Sequence, residues 1–168
     1  AGVTLGGTVT VATSGGGVAS FTNLSLTGAV GSYTLSFSGP SLSTVISSSV
    51  ALTAGPAMTI AISAGDGQSA TVNTAVATAP SVFVADQSGN PVSGIVVNFA
   101  VASGGGSAIG LSPATNAAGL AAVGSWTLGT VAGSNTLTAT SGSLTGSPLT
   151  FTATGTPAPA NTGVPTFS

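Results

Sequence analysis

The sequence contains no lysine, arginine, histidine or cysteine, and each absence removes a class of function. Without Lys or Arg nothing neutralises phosphates, so no nucleic-acid partner is expected. A polybasic membrane patch is excluded for the same reason. Serine is abundant, but an activated serine needs a base, and neither His nor Lys is there to serve. Zinc is excluded for want of His and Cys. The lack of cysteine leaves the redox compartment open. Charged residues amount to 1% of the chain, against about 25% in an ordinary soluble domain. The only carboxylate side chains are Asp66 and Asp86. Long apolar runs are also missing. Mean hydropathy is +0.64, yet no stretch approaches the roughly 18–20 apolar residues of a spanning helix, so no membrane insertion by this segment is expected. The opening AGVTLGG has neither a basic nor an apolar leader region, which suggests a mature or internal piece of a longer product.

Apolar residues reach 42%, enough for a core. Ser, Thr, Gly and Asn replace the missing charges. Runs rich in Val, Ile and Thr recur about every 8–12 residues between turn residues, the pattern of an all-β chain. No window shows a capped 3.6-residue apolar period, and 26 glycines argue against helices.

The longest ordered motif is Gly119–Thr140, GLAAVGSWTLGTVAGSNTLTAT, which holds the single tryptophan, Trp126. Shifted back by 102 positions it lies without a gap on Gly17–Ser38, GVASFTNLSLTGAVGSYTLSFS. Gly119 meets Gly17, Leu128 meets Leu26, Gly133 meets Gly31 and Leu137 meets Leu35, while Trp126 meets Leu24 and Val123 meets Phe21. Matching glycines and apolar parity over this length indicate one structural unit written twice. The offset sets the domains: 1–55 as the C-terminal half of a unit, 56–156 as a complete unit, and 157–168, PAPANTGVPTFS, as a linker or the start of a further repeat. The boundary is Gly55-Pro56.

In the first segment we expect a strand around Val9 and Val11, a turn at Gly15–Gly17, and a strand through Val18–Phe21 continuing to Leu24 and Leu26, with a bulge or turn at Asn23 where the parity changes. Tyr33–Phe37 alternates cleanly, and Val45–Leu52 closes the segment. In the second, strands are expected through Met58–Ile62, Val82–Val84, Ile95–Val101, Val123–Trp126, Leu137 and Leu149–Phe151, with turns at Gly65–Gln68, Asp86–Pro91 and Gly104–Gly106. These six runs come close to the roughly seven strands in about 100 residues of an immunoglobulin-like sandwich. Residues 1–55 lack the counterpart of roughly 56–102. The six or so side chains missing with it are each worth about 1.5–3 kcal/mol. Their sum is comparable to a domain's whole stability of about 5–15 kcal/mol. So 1–55 is not expected to fold alone, and its sheet edges are expected to be open. Either a longer array or another chain supplies the missing strands.

The run Asp86-x-x-Gly89-Asn90-Pro91-Val92-x-Gly94-x-x-Val97-x-Phe99, followed by Gly104-Gly105-Gly106, Gly119-x-Ala121, Trp126-Thr127-Leu128-Gly129 and Ala132-Gly133-x-Asn135-x-Leu137-Thr138-Ala139, resembles bacterial immunoglobulin-like domains of the invasin/intimin type. The resemblance covers nearly all of 56–156, and 1–55 resembles the C-terminal half of a related repeat. It implies tandem β-sandwiches in the stalk of an extracellular or cell-surface adhesin, with neighbouring repeats or identical chains as partners and binding placed in a separate tip domain. It carries over no catalytic residue. The near absence of charge departs from typical members.

The candidate chemistry is thin. Acid–base work could fall only to Asp66 and Asp86, and both sit in turns, where Asp bonds the following backbone. A Ca²⁺ site would need the two aspartate loops to meet. Gly15–Gly17 and Gly104–Gly106 precede strands, not a helix with a lysine, so they read as turns and not as phosphate cradles. Trp126 could be a stacking platform, but its counterpart Leu24 argues for core. Tyr33 stands where a tyrosine corner would, or is an ordinary half-buried strand residue. Asn23-Leu24-Ser25 matches an N-glycosylation acceptor. No catalytic, metal or cofactor residues are expected, and the chain is not expected to be an enzyme. The reading is a structural spacer. The alternatives are a self-assembling fibre subunit completed by a neighbouring chain's strands, and a carbohydrate-binding or accessory module of a secreted enzyme.

Overall fold

The computed structural model describes residues 2–160, so most of the expected linker 157–168 lies outside the described residues. Every regular element among them is a β-strand. The chain divides into two compact units, Ala1–Pro56 with Asp86–Asn90, and Ala57–Ala85 with Pro91–Ser168.

The first unit has six short strands: β1 (Val3–Gly6), β2 (Ser25–Gly28), β3 (Gly31–Tyr33), β4 (Ser36–Phe37), β5 (Val45–Ile46) and β6 (Val50–Leu52). They pair antiparallel in three separate ladders, β1 with β2, β3 with β6, and β4 with β5. No residue from 2 to 56 is buried. The alternation of Tyr33–Phe37 is there, but its strand is broken at Thr34-Leu35. The strands expected at Val9–Val11 and at Val18–Phe21 do not form. The expected turn at Gly15–Gly17 does: Ser14 N–H donates to Val18 O at 2.8 Å and Gly17 N–H to Ser14 O at 2.9 Å.

The second unit has nine strands, β7 (Thr59–Ala64), β8 (Gln68–Thr71), β9 (Ser81–Ala85), β10 (Asn98–Ser103), β11 (Ser107–Ile109), β12 (Leu120–Ala122), β13 (Ser125–Thr127), β14 (Gly133–Thr140) and β15 (Leu149–Thr156). One sheet runs β10-β14-β15-β8, with β8 parallel to β15, and another runs β12-β9-β7. β11 and β13 form a further pair. The apolar positions of both larger sheets meet in one core: Ile60, Val82, Val84 and Ala121 from one, Phe99, Leu137, Ala139 and Phe151 from the other, with Val97, Val123, Trp126 and Leu128 beside them. Period 2 explains the choice. In β14 the residues Asn135, Leu137 and Ala139 are buried and their neighbours are not. Each large apolar side chain so enclosed is worth about 1.5–3 kcal/mol.

Three expectations change here. The strand expected through Val123 and Trp126 is two strands, because the chain leaves the β9 sheet after Ala122 and pairs with β11 from Ser125. Val123 N–H donates to Pro80 O on one side of this step and Gly124 N–H to Ile109 O on the other. In the first segment no strand precedes Asn23, and β2 starts at Ser25. Met58 precedes the first strand and is exposed, and Ile60 alone of the expected trio is fully buried. Gln68 does not end a turn but begins β8.

Candidate functional site

The structure uses the residue types that could carry chemistry to hold backbone. Asp66 Oδ1 accepts the Thr152 N–H at 2.7 Å and the Thr152 hydroxyl at 3.0 Å, fastening the Gly65–Gly67 turn to β15. The Thr152 N–H holds its pKa below the ordinary aspartate value, against the smaller opposing effect of burial. Asp86 is more heavily engaged. Its Oδ1 accepts from Ser88 N–H and Asn90 N–H at 2.8 and 2.9 Å, closing a turn on Gly89, whose φ of 81° is in the left-handed region. Its Oδ2 accepts from the Asn90 side-chain amide at 2.9 Å and from Gly55 N–H at 2.8 Å. The Asn90 amide and then the Gly55 N–H bring the pKa down to about 2. Asn90 is buried as well, and its amide donates to Gly28 O while its Oδ1 accepts from Val30 N–H, at 2.9 and 3.0 Å. Both aspartates are therefore turn formers. Among the described residues no group of three or more His, Cys, Asp or Glu is placed to hold a metal.

Trp126 is enclosed completely, with 0% of its surface exposed. It lies opposite Ala108 in the β11–β13 pair. Its Nε1–H meets no acceptor among the described residues. A ring in that position cannot stack on a sugar in solution. Gly104–Gly106 is a packed turn: a Cβ on Gly129 would stand 1.9 Å from Gly104 O, and one on Gly104 would meet Asn135 at 2.5 Å. Tyr33 has the hydrogen bond of a tyrosine corner, its hydroxyl donating to Ala29 O at 2.8 Å four residues upstream. Asn23 is exposed and holds Thr8 through both ends of its amide.

Val9, Val18, Leu42, Val45 and Ile46 are more than half exposed. The first unit also has a groove of about 240 Å³ lined by Val9, Thr10, Val11, Phe21 and Ser36–Ser38. The rings of Phe21 and Phe37 are 5.3 Å apart within it. β3 and β4 are each paired on one side only, so their second edge offers free N–H and C=O groups. The alternation of Tyr33, Leu35 and Phe37 was visible in the sequence, but the groove was not, because it depends on how separate segments come together. No known family model matches the sequence, and no curated protein matches it either.

Proposed function

We propose that this chain is a structural spacer, a stalk segment of an extracellular, adhesin-like bacterial surface protein built from tandem immunoglobulin-like sandwiches. One observation carries the reading: the two units repeat the same turn hydrogen bonds at the same offset. Ser14 N–H to Val18 O and Gly17 N–H to Ser14 O recur as Asn116 N–H to Leu120 O and Gly119 N–H to Asn116 O. Leu42 N–H to Gly39 O recurs as Leu144 N–H to Ser141 O. The aspartates hold backbone N–H groups and the tryptophan fills the core, as a load-carrying module requires. Stretching the full chain between two handles tests the proposal. A spacer gives one abrupt event that releases the roughly 100-residue second unit, a gain of about 35 nm in contour length. Smooth extension at low force overturns it.

A second reading, a fibre subunit joined through its neighbour's strands, is favoured by the single-sided pairing of β3 and β4. Sedimentation decides it, since a mass that stays monomeric over a wide concentration range excludes a self-assembling fibre.

A further inference from the structure

Asp66-Gly67 is the one place in the chain where Asp or Asn is followed directly by glycine. That pair has a chemistry of its own. The glycine amide nitrogen can attack the carboxyl carbon of the aspartate side chain, because the following residue has no Cβ to stand in its way. Both residues are exposed, and among the described residues nothing lies within 4 Å of the place a Cβ on Gly67 would take. Sterics therefore leave the site open. What holds it shut is one residue of β15. Thr152 donates its N–H and its hydroxyl to Asp66 Oδ1 at 2.7 and 3.0 Å, and its carbonyl accepts the Gly67 N–H at 3.0 Å. The electrophile and the nucleophile are both bound to the same residue. The carboxyl must be neutral to lose an oxygen as water, and the Thr152 donors favour its ionised form. The amide must turn toward Asp66 Cγ, and it is committed to Thr152 O instead.

We infer that Asp66 is a site of spontaneous isoaspartate formation and that Thr152 is its gate, so that conversion proceeds only from openings that part the Gly65–Gly67 turn from β15. The steps balance with water as the only co-reactant. Gly67 N bonds to Asp66 Cγ, the Cγ–OH bond breaks, and the hydroxyl leaves with the amide proton as water. The product is a five-membered cyclic imide. Water then adds to the main-chain carbonyl carbon of Asp66, and the bond from that carbon to Gly67 N breaks. The chain now runs through Cγ, one carbon longer, with an α-carboxylate beside it. This turn leads directly into β8, which lies at the edge of its sheet and pairs only with β15, from Gln68 opposite Ala153 onward. The modified chain is therefore expected to lose β8 first. Asp86 is followed by Gln87, whose side chain hinders the same attack, and serves as an internal control.

The full chain is incubated in mildly acidic buffer, both folded and in urea above its unfolding midpoint. It is then cut, unfolded, with an endoproteinase that cleaves before aspartate but not before isoaspartate. With two aspartates the unmodified chain gives 1–65, 66–85 and 86–168, and conversion at Asp66 leaves 1–85 uncut. Enzymatic methylation of the isoaspartyl carboxylate identifies the product. In urea the 1–85 piece is expected to accumulate. In the folded chain it should form at least about tenfold more slowly, and by a factor no smaller than the exchange protection of the Gly67 amide, which must be free before it attacks. Thr152→Val keeps the β15 backbone and removes only the hydroxyl. It should raise the folded rate about threefold or more, the equivalent of one exposed hydrogen bond, and leave the urea rate unchanged. Asp66→Glu, which would need a larger ring, should give no product in either state. Any one of three results overturns the inference: no 1–85 piece in urea, equal rates folded and in urea, or a folded rate that Thr152→Val does not raise.

Discussion

Gly17–Ser38 and Gly119–Thr140 carry the same apolar pattern and close the same turns, yet their side chains end in opposite environments. Leu137, Ala139, Leu128 and Trp126 have 0% of their surface exposed. Their counterparts Leu35, Phe37, Leu26 and Leu24 are all partly exposed. The ladder differs too. β14 and β15 pair without interruption from Gly133 to Ala139, whereas the corresponding strands of the first unit pair as two fragments. Register follows the same division. Ser107 lies opposite Thr127, so the offset would set Leu5 opposite Ser25, but it sits opposite Leu26. A slip of one residue turns every side chain to the other face, and register is weakly specified where neither face is covered. The two segments divide simply: their turn hydrogen bonds form in both, whereas long strands and fully buried side chains occur only in the second, where residues 57–102 pack.

The largest effect is expected at the position that differs most. Trp126→Ala should cost about 3–5 kcal/mol, read from a urea midpoint followed by circular dichroism. Leu24→Ala, its counterpart, should stay within about 1 kcal/mol, as at an open surface. Equal costs would mean that the first unit has a core after all. Trp126→Phe separates packing from the unpaired N–H. It loses ring volume but removes a buried donor whose desolvation costs about 1–3 kcal/mol, so its cost should fall well below that of alanine.

Next in size is Gly129→Ala, where the new Cβ would overlap Gly104 O at 1.9 Å. Overpacking of this kind costs about 1–3 kcal/mol. The counterpart position is Thr27, which already carries a side chain. Thr27→Ala should be nearly silent in the same urea titration. The glycine is needed only where the turn is pressed against a finished layer.

Much of the second unit was legible in the sequence, and the reasons are physical. Val82 with Val84 and Leu137 with Phe151 announce themselves because a half-buried strand alternates with period 2. Asp86-Gln-Ser-Gly-Asn reads as a turn because its bonds are local. Its bonds to Gly28, Val30 and Gly55 could not be read, since long-range contacts from a side chain to backbone leave no period. β8, Gln-Ser-Ala-Thr, pairs parallel with β15 and has no apolar alternation to betray it. Val9–Val11 has the residues of a strand but not the fold of one. Its counterpart 111–115 is paired only because residues 94–99 lie against it, with bonds such as Thr115 N–H to Ile95 O. The open groove was illegible for the same reason.

The two aspartates extend the contrast to pH. Asp86 belongs to the first unit and has its pKa lowered to about 2, while Asp66 in the second is lowered without a comparable set of donors. A carboxylate with a depressed folded pKa contributes stability above its unfolded value of about 3.9. That contribution is lost as pH falls through the folded pKa. The urea midpoint should therefore be flat from about pH 5 to 9 and fall between about pH 4 and 2, with the decrease confined to these two groups. Asp86→Asn should remove most of the dependence from signals of the first unit and leave those of the second. The carboxyl carbon shifts of Asp66 and Asp86, followed by NMR, locate the two titrations directly. A midpoint that moves steeply near neutral pH has no titrating side chain in this sequence to explain it.

The smallest expected effect is at the turn whose backbone hydrogen bonds occur in both segments. Asn116 Oδ1 accepts from Ala118 N–H and Leu120 N–H at 2.9 and 3.1 Å, two bonds added to the backbone pair. Ser14 has the backbone pair without them. Asn116→Ser should cost about 0.5–1.5 kcal/mol, the net worth of an exposed hydrogen bond or two whose groups water can satisfy. The reverse exchange, Ser14→Asn, is the sharper measurement. It should slow amide exchange at Val18, at the end of its own turn, and leave Leu35 and Phe37 unchanged. Turn bonds fix a local chain reversal but bury nothing. If Ser14→Asn also protected Leu35, the first unit would be cooperative, and its open face would be a matter of weak turns instead of missing strands.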